Sequence, residues 1–203
     1  MTQIERIRHK IDELQTVDKN FETFGSSRHR YTLNDPISEV EILAFEHKHG
    51  IGLPLGYRDF LLQIGNGGAG PYYGLVSLSQ SLCADLDYPD ANDLIDISKP
   101  FPHTEPWNLD FSILPDEDDE AYYTIKDSFY DNSFISGTLK VANFGCGISK
   151  ILVVNGAEYG HIWVDDRSND VGIYPETYFG VSERVDFLSW YEHWLDISLA
   201  KLP

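Results

Sequence analysis

Seven histidines, two cysteines and 33 acidic residues are the side chains with which this chain could hold a metal, attack a carbonyl or move a proton. The histidines stand at positions 9, 29, 47, 49, 103, 161 and 193. His47 and His49 are two apart near an expected helix end, so they diverge instead of sharing an ion; contact with the helix C-terminus is their expected role. No H-E-x-x-H, paired C-x-x-C or G-x-S-x-G occurs. Cys146 sits between two glycines, a setting that can expose a nucleophile, and His161 belongs to the next expected strand but one. A nucleophile needs its base within hydrogen-bond reach, and no sequence spacing provides that here. A small residue in a tight strand-to-strand connection is the simpler reading.

The other chemistries fare no better. Asp166-Arg167-Ser168-Asn169-Asp170 has part of the spacing of a calcium loop, but Val171 stands where that loop needs Gly and Thr177 where it needs Glu. The contiguous acids Asp116, Glu117, Asp118, Asp119 and Glu120 spread around a helix axis and do not converge on one ion. Gly65, Gly67 and Gly70 fit the G-x-G-x-x-G spacing of a dinucleotide site, yet the order of elements is reversed. That site needs a strand before it and a helix after it, so that free N–H groups meet the pyrophosphate. Here a helical pattern (Leu55, Phe60, Leu61, Ile64) precedes the glycines and Pro71 with a β-like run follows them, which reads as a helix stop. No catalytic residue, metal or cofactor is expected, and binding is the expected activity.

Charge narrows the partner. The formal net charge is −18, and residues 85–131 alone contribute −12 of it. Such a surface repels nucleic acid and anionic membranes, whose binding rests on Lys and Arg. It attracts a basic protein and speeds their encounter, with solubility alone as the alternative reading of the same charge. No run approaches the roughly 18 apolar residues of a membrane span, and the charged start MTQIERIRHKIDELQ is not a secretory signal. Cys83 and Cys146 form no disulfide framework and read as reduced, buried thiols of a cytoplasmic protein.

Periodicity places the elements. Ile4, Ile7, Ile11 and Leu14 make residues 2–15 an amphipathic helix. Residues 18–34 form a connector, with a short extended piece. Asp35-Pro36 reads as an N-cap and first helical residue, Gly50 stops that helix, and Leu53-Pro54 opens another through Ile64. A strand is expected at 72–79, an acidic, proline-rich insertion at 83–120, and a helix from Glu117 to Tyr130 with Ala121, Tyr122, Ile125 and Phe129 on one face. Strands follow at 139–144, 150–154, 159–165 and 171–174, with Asn155-Gly156 as a hairpin turn. A helix from about Glu183 closes the chain with an aromatic stripe of Phe187, Trp190, Tyr191, Trp194 and Leu195.

The stretch Ile42-x-x-Phe45-Glu46, Leu53-Pro54-x-x-Tyr57-Arg58-x-Phe60-Leu61 and Asn66-Gly67-Gly68 resembles the signature of the SMI1/KNR4 family, also called the SUKH superfamily. Gly145-Cys146-Gly147, Val154-Asn155-Gly156, Gly160-His161-Ile162-Trp163 and Phe187-x-x-Trp190 are similar to its later pieces. The resemblance spans about residues 36–195 and is weakest over the acidic insertion. It implies a single α+β domain over 1–203, with helices packed on a largely antiparallel sheet. Most bacterial members are thought to be immunity proteins that bind and neutralise a cognate toxin; fungal relatives, with long disordered tails, act in cell-wall and signalling regulation. The sequence shows no such tails, which favours the bacterial setting, with a regulatory or scaffold module for an endogenous partner as the alternative. The expected partner is a toxin domain with a basic surface, such as a nuclease, and the expected contact residues are Asp116, Glu117, Asp118, Asp119, Glu120, Asp165, Asp166 and Asp170.

Overall fold

The computed structural model describes residues 1–177 and 184–202. Among them six α-helices and one four-stranded antiparallel sheet give the expected α+β architecture. The helices are α1 (Gln3–Val17), α2 (Ser26–His29), α3 (Glu39–His49), α4 (Leu55–Gln63), α5 (Glu120–Phe129) and α6 (Phe187–Ala200). The strands β1 (Thr138–Gly145), β2 (Ile148–Val153), β3 (Ile162–Asp166) and β4 (Gly172–Pro175) lie in sequence order.

A capping box between Thr2 and Glu5 starts α1, and its buried face is Ile4, Ile7, Ile11 and Leu14. That face packs on α6, where Phe187, Trp190, Tyr191, Trp194 and Leu195 are all buried. The expected start of α6 at Glu183 lies outside the described residues; Asp186 caps the helix through the N–H of Ser189. Tyr57 and Phe60 of α4 meet Phe187 edge-on, with ring centroids 4.7 and 5.2 Å apart. The cap of α3 is Ser38, not Asp35, because Glu41 reaches back to complete a capping box with it.

The register of the sheet sorts its side chains. Ser149 pairs with Asp165, Ile151 with both Lys140 and Trp163, and Lys150 with Val164. Alternation therefore puts Lys140, Ser149, Trp163 and Asp165 on one face, and Lys150, Leu152, Ile162 and Val164 on the other. The second face meets the helices: Trp190 of α6 donates to Glu176 at 3.2 Å, and Glu176 holds Lys150 at 2.9 Å. The acidic insertion covers the first face. Phe101 meets Trp163 at 5.1 Å, and His103 stacks on Trp107 at 5.2 Å while bonding the Phe134 carbonyl at 3.0 Å.

Both edges of the sheet are occupied. Trp107 exchanges backbone hydrogen bonds with Ile173 of β4, and Val76 N–H donates to Val141 of β1 at 3.0 Å. Residues 72–79, expected as a strand, make only single bridges there, because Tyr72 and Gly74 adopt left-handed φ values of 59° and 101° and turn the chain. Asn155-Gly156 is not a two-residue hairpin turn. It lies inside the longer connection 154–161, since β3 begins at Ile162 and Gly156 bridges to Phe101.

Candidate functional site

The eight acidic residues singled out by sequence fall into two groups. Asp116, Glu117, Asp118, Asp119, Glu120 and Asp170 are exposed. The run is mostly a turn, not a helix: α5 starts at Glu120, capped by Asp119 through the N–H of Ala121 at 2.9 Å. Lys126 of α5 lies 3.8 Å from Asp170, so the turn after β3 and the helix led by the acidic run share one flank of the molecule. Asp165 and Asp166 sit elsewhere, with 4% and 7% exposure. Asp166 accepts from Asn169 at 2.7 Å and from the Tyr174 hydroxyl at 3.2 Å, which raises that phenol to about 12 through burial and the nearby carboxylate.

Asp165 belongs to a charged cluster that sequence reading missed. Arg167 grips it with Nε and Nη2 at 2.7 and 3.0 Å and sends Nη1 to the carbonyls of Phe129 and Asp131, each at 3.0 Å. Lys140, from the same face of β1, lies 3.5 Å from Asp165 and 3.3 Å from Ser149. All four are buried. Burial pushes the Lys140 ammonium below its ordinary pKa, with Asp165 pulling the other way. Burial would raise Asp165, but the Arg167 hydrogen bonds and the Lys140 charge outweigh it and hold the carboxylate below its usual range.

This cluster is the floor of a cleft of about 180 Å³. Asp85, Asp87 and Asp93 of the insertion form its rim, with Asn132, Asn143 and Gly147. Asp87 ties the insertion to the β1–β2 turn, accepting from Asn143 at 2.7 Å and from the Gly147 N–H at 3.3 Å. Two signals in the sequence pointed to the charged cluster at its floor, though not to the cleft: Lys140 interrupts the apolar run Leu139 to Ala142, and Arg167 stands two residues after Asp165 at the end of another strand.

Cys146 is exposed at the β1–β2 turn and Cys83 is half-buried, so neither is the buried thiol that composition suggested. His161 bonds Glu158 at 3.2 Å just before β3, whereas Cys146 stands at the other end of the β2–β3 ladder. The two do not form a nucleophile–base pair. Among the described residues no set of three His, Cys, Asp or Glu side chains could hold a metal, and no helix is long and apolar enough to cross a membrane.

The fold is that of an α+β domain with an exposed acidic flank. Residues 36–186 match the model of the SMI1 / KNR4 family (SUKH-1), and the chain belongs to that family. No curated protein and no solved structure matches it.

Proposed function

We propose that this chain is an immunity protein that binds and neutralises a cognate toxin by surface complementarity, and that the toxin presents a basic surface. The family is broadly one of immunity proteins, which bind toxins. What favours a basic partner is the acidic run at the start of α5. Asp116, Glu117, Asp118, Asp119 and Glu120 are all exposed, and none is in an ion pair among the described residues.

Among the described residues, nine of the 15 cations hold carboxylates outside this run: Arg6, Lys10, Arg58, Lys99, Lys126, Lys140, Lys150, Arg167 and Arg184. The field of the acidic run is therefore open to a partner. A nuclease toxin has to be basic where it holds phosphates, and a carboxylate array imitates that charge. Asp170 extends the same surface. Asp165 and Asp166 contribute from below, by fixing the turn that carries Asp170.

Co-expression with the product of the neighbouring upstream gene tests this reading. Growth should be rescued, and the purified complex should weaken as salt rises through the Debye-screening range. Reversing the charges at 116–120 should cut affinity at least tenfold and flatten the salt dependence. Unchanged affinity and unchanged salt slope would rule out this surface. A regulatory module with an endogenous partner would give no rescue at all.

A further inference from the structure

The cleft between the insertion and the β1–β2 hairpin separates charge by depth. At its floor lie Lys140, Arg167 and Asp165, two cations and one anion, all buried. At its rim lie Asp85, Asp87 and Asp93, all exposed. The floor has an excess of positive charge and the rim an excess of negative charge.

The floor cations differ in how well they are satisfied. All three nitrogens of Arg167 are engaged, by Asp165 and two backbone carbonyls. Lys140 carries three N–H donors, yet among the described residues it has only two acceptors, Ser149 Oγ at 3.3 Å and Asp165 Oδ2 at 3.5 Å. Both contacts are longer than the roughly 2.7–2.9 Å of a charged N–H···O bond. An ammonium only 4% exposed that lines a cleft with a donor to spare points to a ligand bearing an acceptor.

The rim restricts what that ligand is. A plain anion would face three carboxylates on the way in, and a plain cation would face two floor cations against one carboxylate. Asp85 Oδ1 accepts the N–H groups of Asp87 and Tyr88, and Asp93 Oδ1 accepts from Asn132 at 2.6 Å. The second oxygen of each has no partner among the described residues. The Ala84 N–H donates to the Asp93 carbonyl at 3.1 Å, which holds these two stretches of the rim side by side. The cleft, at about 180 Å³, is far larger than one water needs.

We propose that this cleft binds a small zwitterion of the free α-amino-acid class, its carboxylate on Lys140 and its ammonium between Asp85 and Asp93. Each end of such a molecule meets the opposite charge at its own depth. Because the ligand touches both the insertion and β1, it also clamps the insertion onto the sheet. This site is separate from the acidic run at 116–120 and does not depend on the toxin reading.

The test is a titration of the 15N-labelled chain, at constant ionic strength, with L-alanine, L-glutamate and L-arginine, and with acetate and ethylammonium as half-ligands. At least one amino acid should shift the side-chain amides of Asn132 and Asn143 and the N–H of Gly147 saturably, with each half-ligand at least tenfold weaker. The double variant Asp85→Asn/Asp93→Asn, both positions exposed, should weaken amino-acid binding at least fivefold and leave acetate no weaker. Lys140→Met should abolish it, with the melting transition as the check on folding; should that variant not fold, the rim variant decides. The proposal is overturned by the absence of a saturable shift with all three amino acids, by acetate binding as tightly as they do, or by a rim variant that binds like the parent. Rescue of growth is scored separately, so either result leaves the immunity reading standing or falling by itself.

Discussion

Arg167 closes a fork on Asp165 across the end of β3, Nε to Oδ1 at 2.7 Å and Nη2 to Oδ2 at 3.0 Å, with both side chains almost wholly buried. The pair is more than a local ion bridge. Arg167 also binds the carbonyls of Phe129 and Asp131, so it ties the end of α5 and the turn that follows it to the sheet. Among the described residues Asp165 is the one carboxylate in an ion pair with both buried cations, since Lys140 lies 3.5 Å away.

Removing Asp165 therefore leaves two buried positive charges without a counter-ion. Asp165→Ala should destabilise the fold by about 3–5 kcal/mol, the usual cost of breaking a buried pair from one side. The double variant Asp165→Ala/Lys140→Met should recover part of that loss, because it removes one of the stranded charges. Urea unfolding of the parent and the variants measures both effects. A single variant as stable as the parent would show that water reaches the cluster.

The glycines after α4 give a second prediction. Gly68 has φ of 100°, and a Cβ there would lie 2.5 Å from the Thr32 carbonyl oxygen. Its backbone bridges Leu33 on one side and Leu75 on the other. Gly68→Ala should cost at least about 1–3 kcal/mol through backbone strain and the forced shift of the 32–34 segment. Gly52→Ala is the control, because nothing lies within 4 Å of a Cβ there. It should be neutral or slightly stabilising. Thermal melts of the two variants separate conformational strain from the loss of a glycine as such.

These two sites differ in how far the sequence revealed them. The glycine cluster was legible as a helix stop, because an apolar helical period ends at Ile64 and Pro71 follows. The 3.6-residue spacing of Ile4, Ile7, Ile11 and Leu14 likewise exposed α1, and apolar runs broken by glycines marked β1 to β4. The signal for the true cap of α3 was also present, as Ser38-x-x-Glu41, but Asp35-Pro36 competed with it. The inward turn of Asp165 follows from alternation with Trp163, once the register is known. The cleft was not legible. It exists because residues 85–93 fold over a sheet face built some fifty residues later, and no local pattern encodes that meeting.

Acid sensitivity should appear in two separate windows, the first set by His29. Burial holds its imidazole down to about 4 in the folded chain, and Nδ1 accepts the Tyr31 N–H at 3.0 Å. The unfolded chain protonates this group near 6.5. Between those values the unfolded state binds more protons, so stability falls as pH drops from about 6.5 to about 4. His29→Asn should remove this part of the loss. Melting temperatures of the two proteins across that interval should diverge if the ring is charged only on unfolding; parallel curves would refute it.

The second window belongs to Glu192 on α6. Its carboxylate accepts Nε and Nη2 of Arg6 at 2.8 and 2.9 Å and Nζ of Lys10 at 2.9 Å, joining α6 to α1. The Arg6 hydrogen bonds, against burial and with help from Lys10, lower its pKa to about 2. A depressed carboxylate stabilises the fold above its unfolded value near 4.3 and loses that contribution as pH falls towards about 2. Arg6 keeps 40% of its side chain exposed, so solvent screens part of the effect. Glu192→Gln should therefore melt lower than the parent at neutral pH, by about 2–4 °C for each kcal/mol lost in a chain of this size. That gap should narrow below pH ~4.3 and close near pH ~2, where the parent carboxylate is itself half protonated. A gap that persists unchanged into acid would mean that the variant loses packing between α1 and α6, not charge. Arg6→Met, which keeps an apolar stem against the helix, should then reproduce the neutral-pH deficit only if the ion pair is its source.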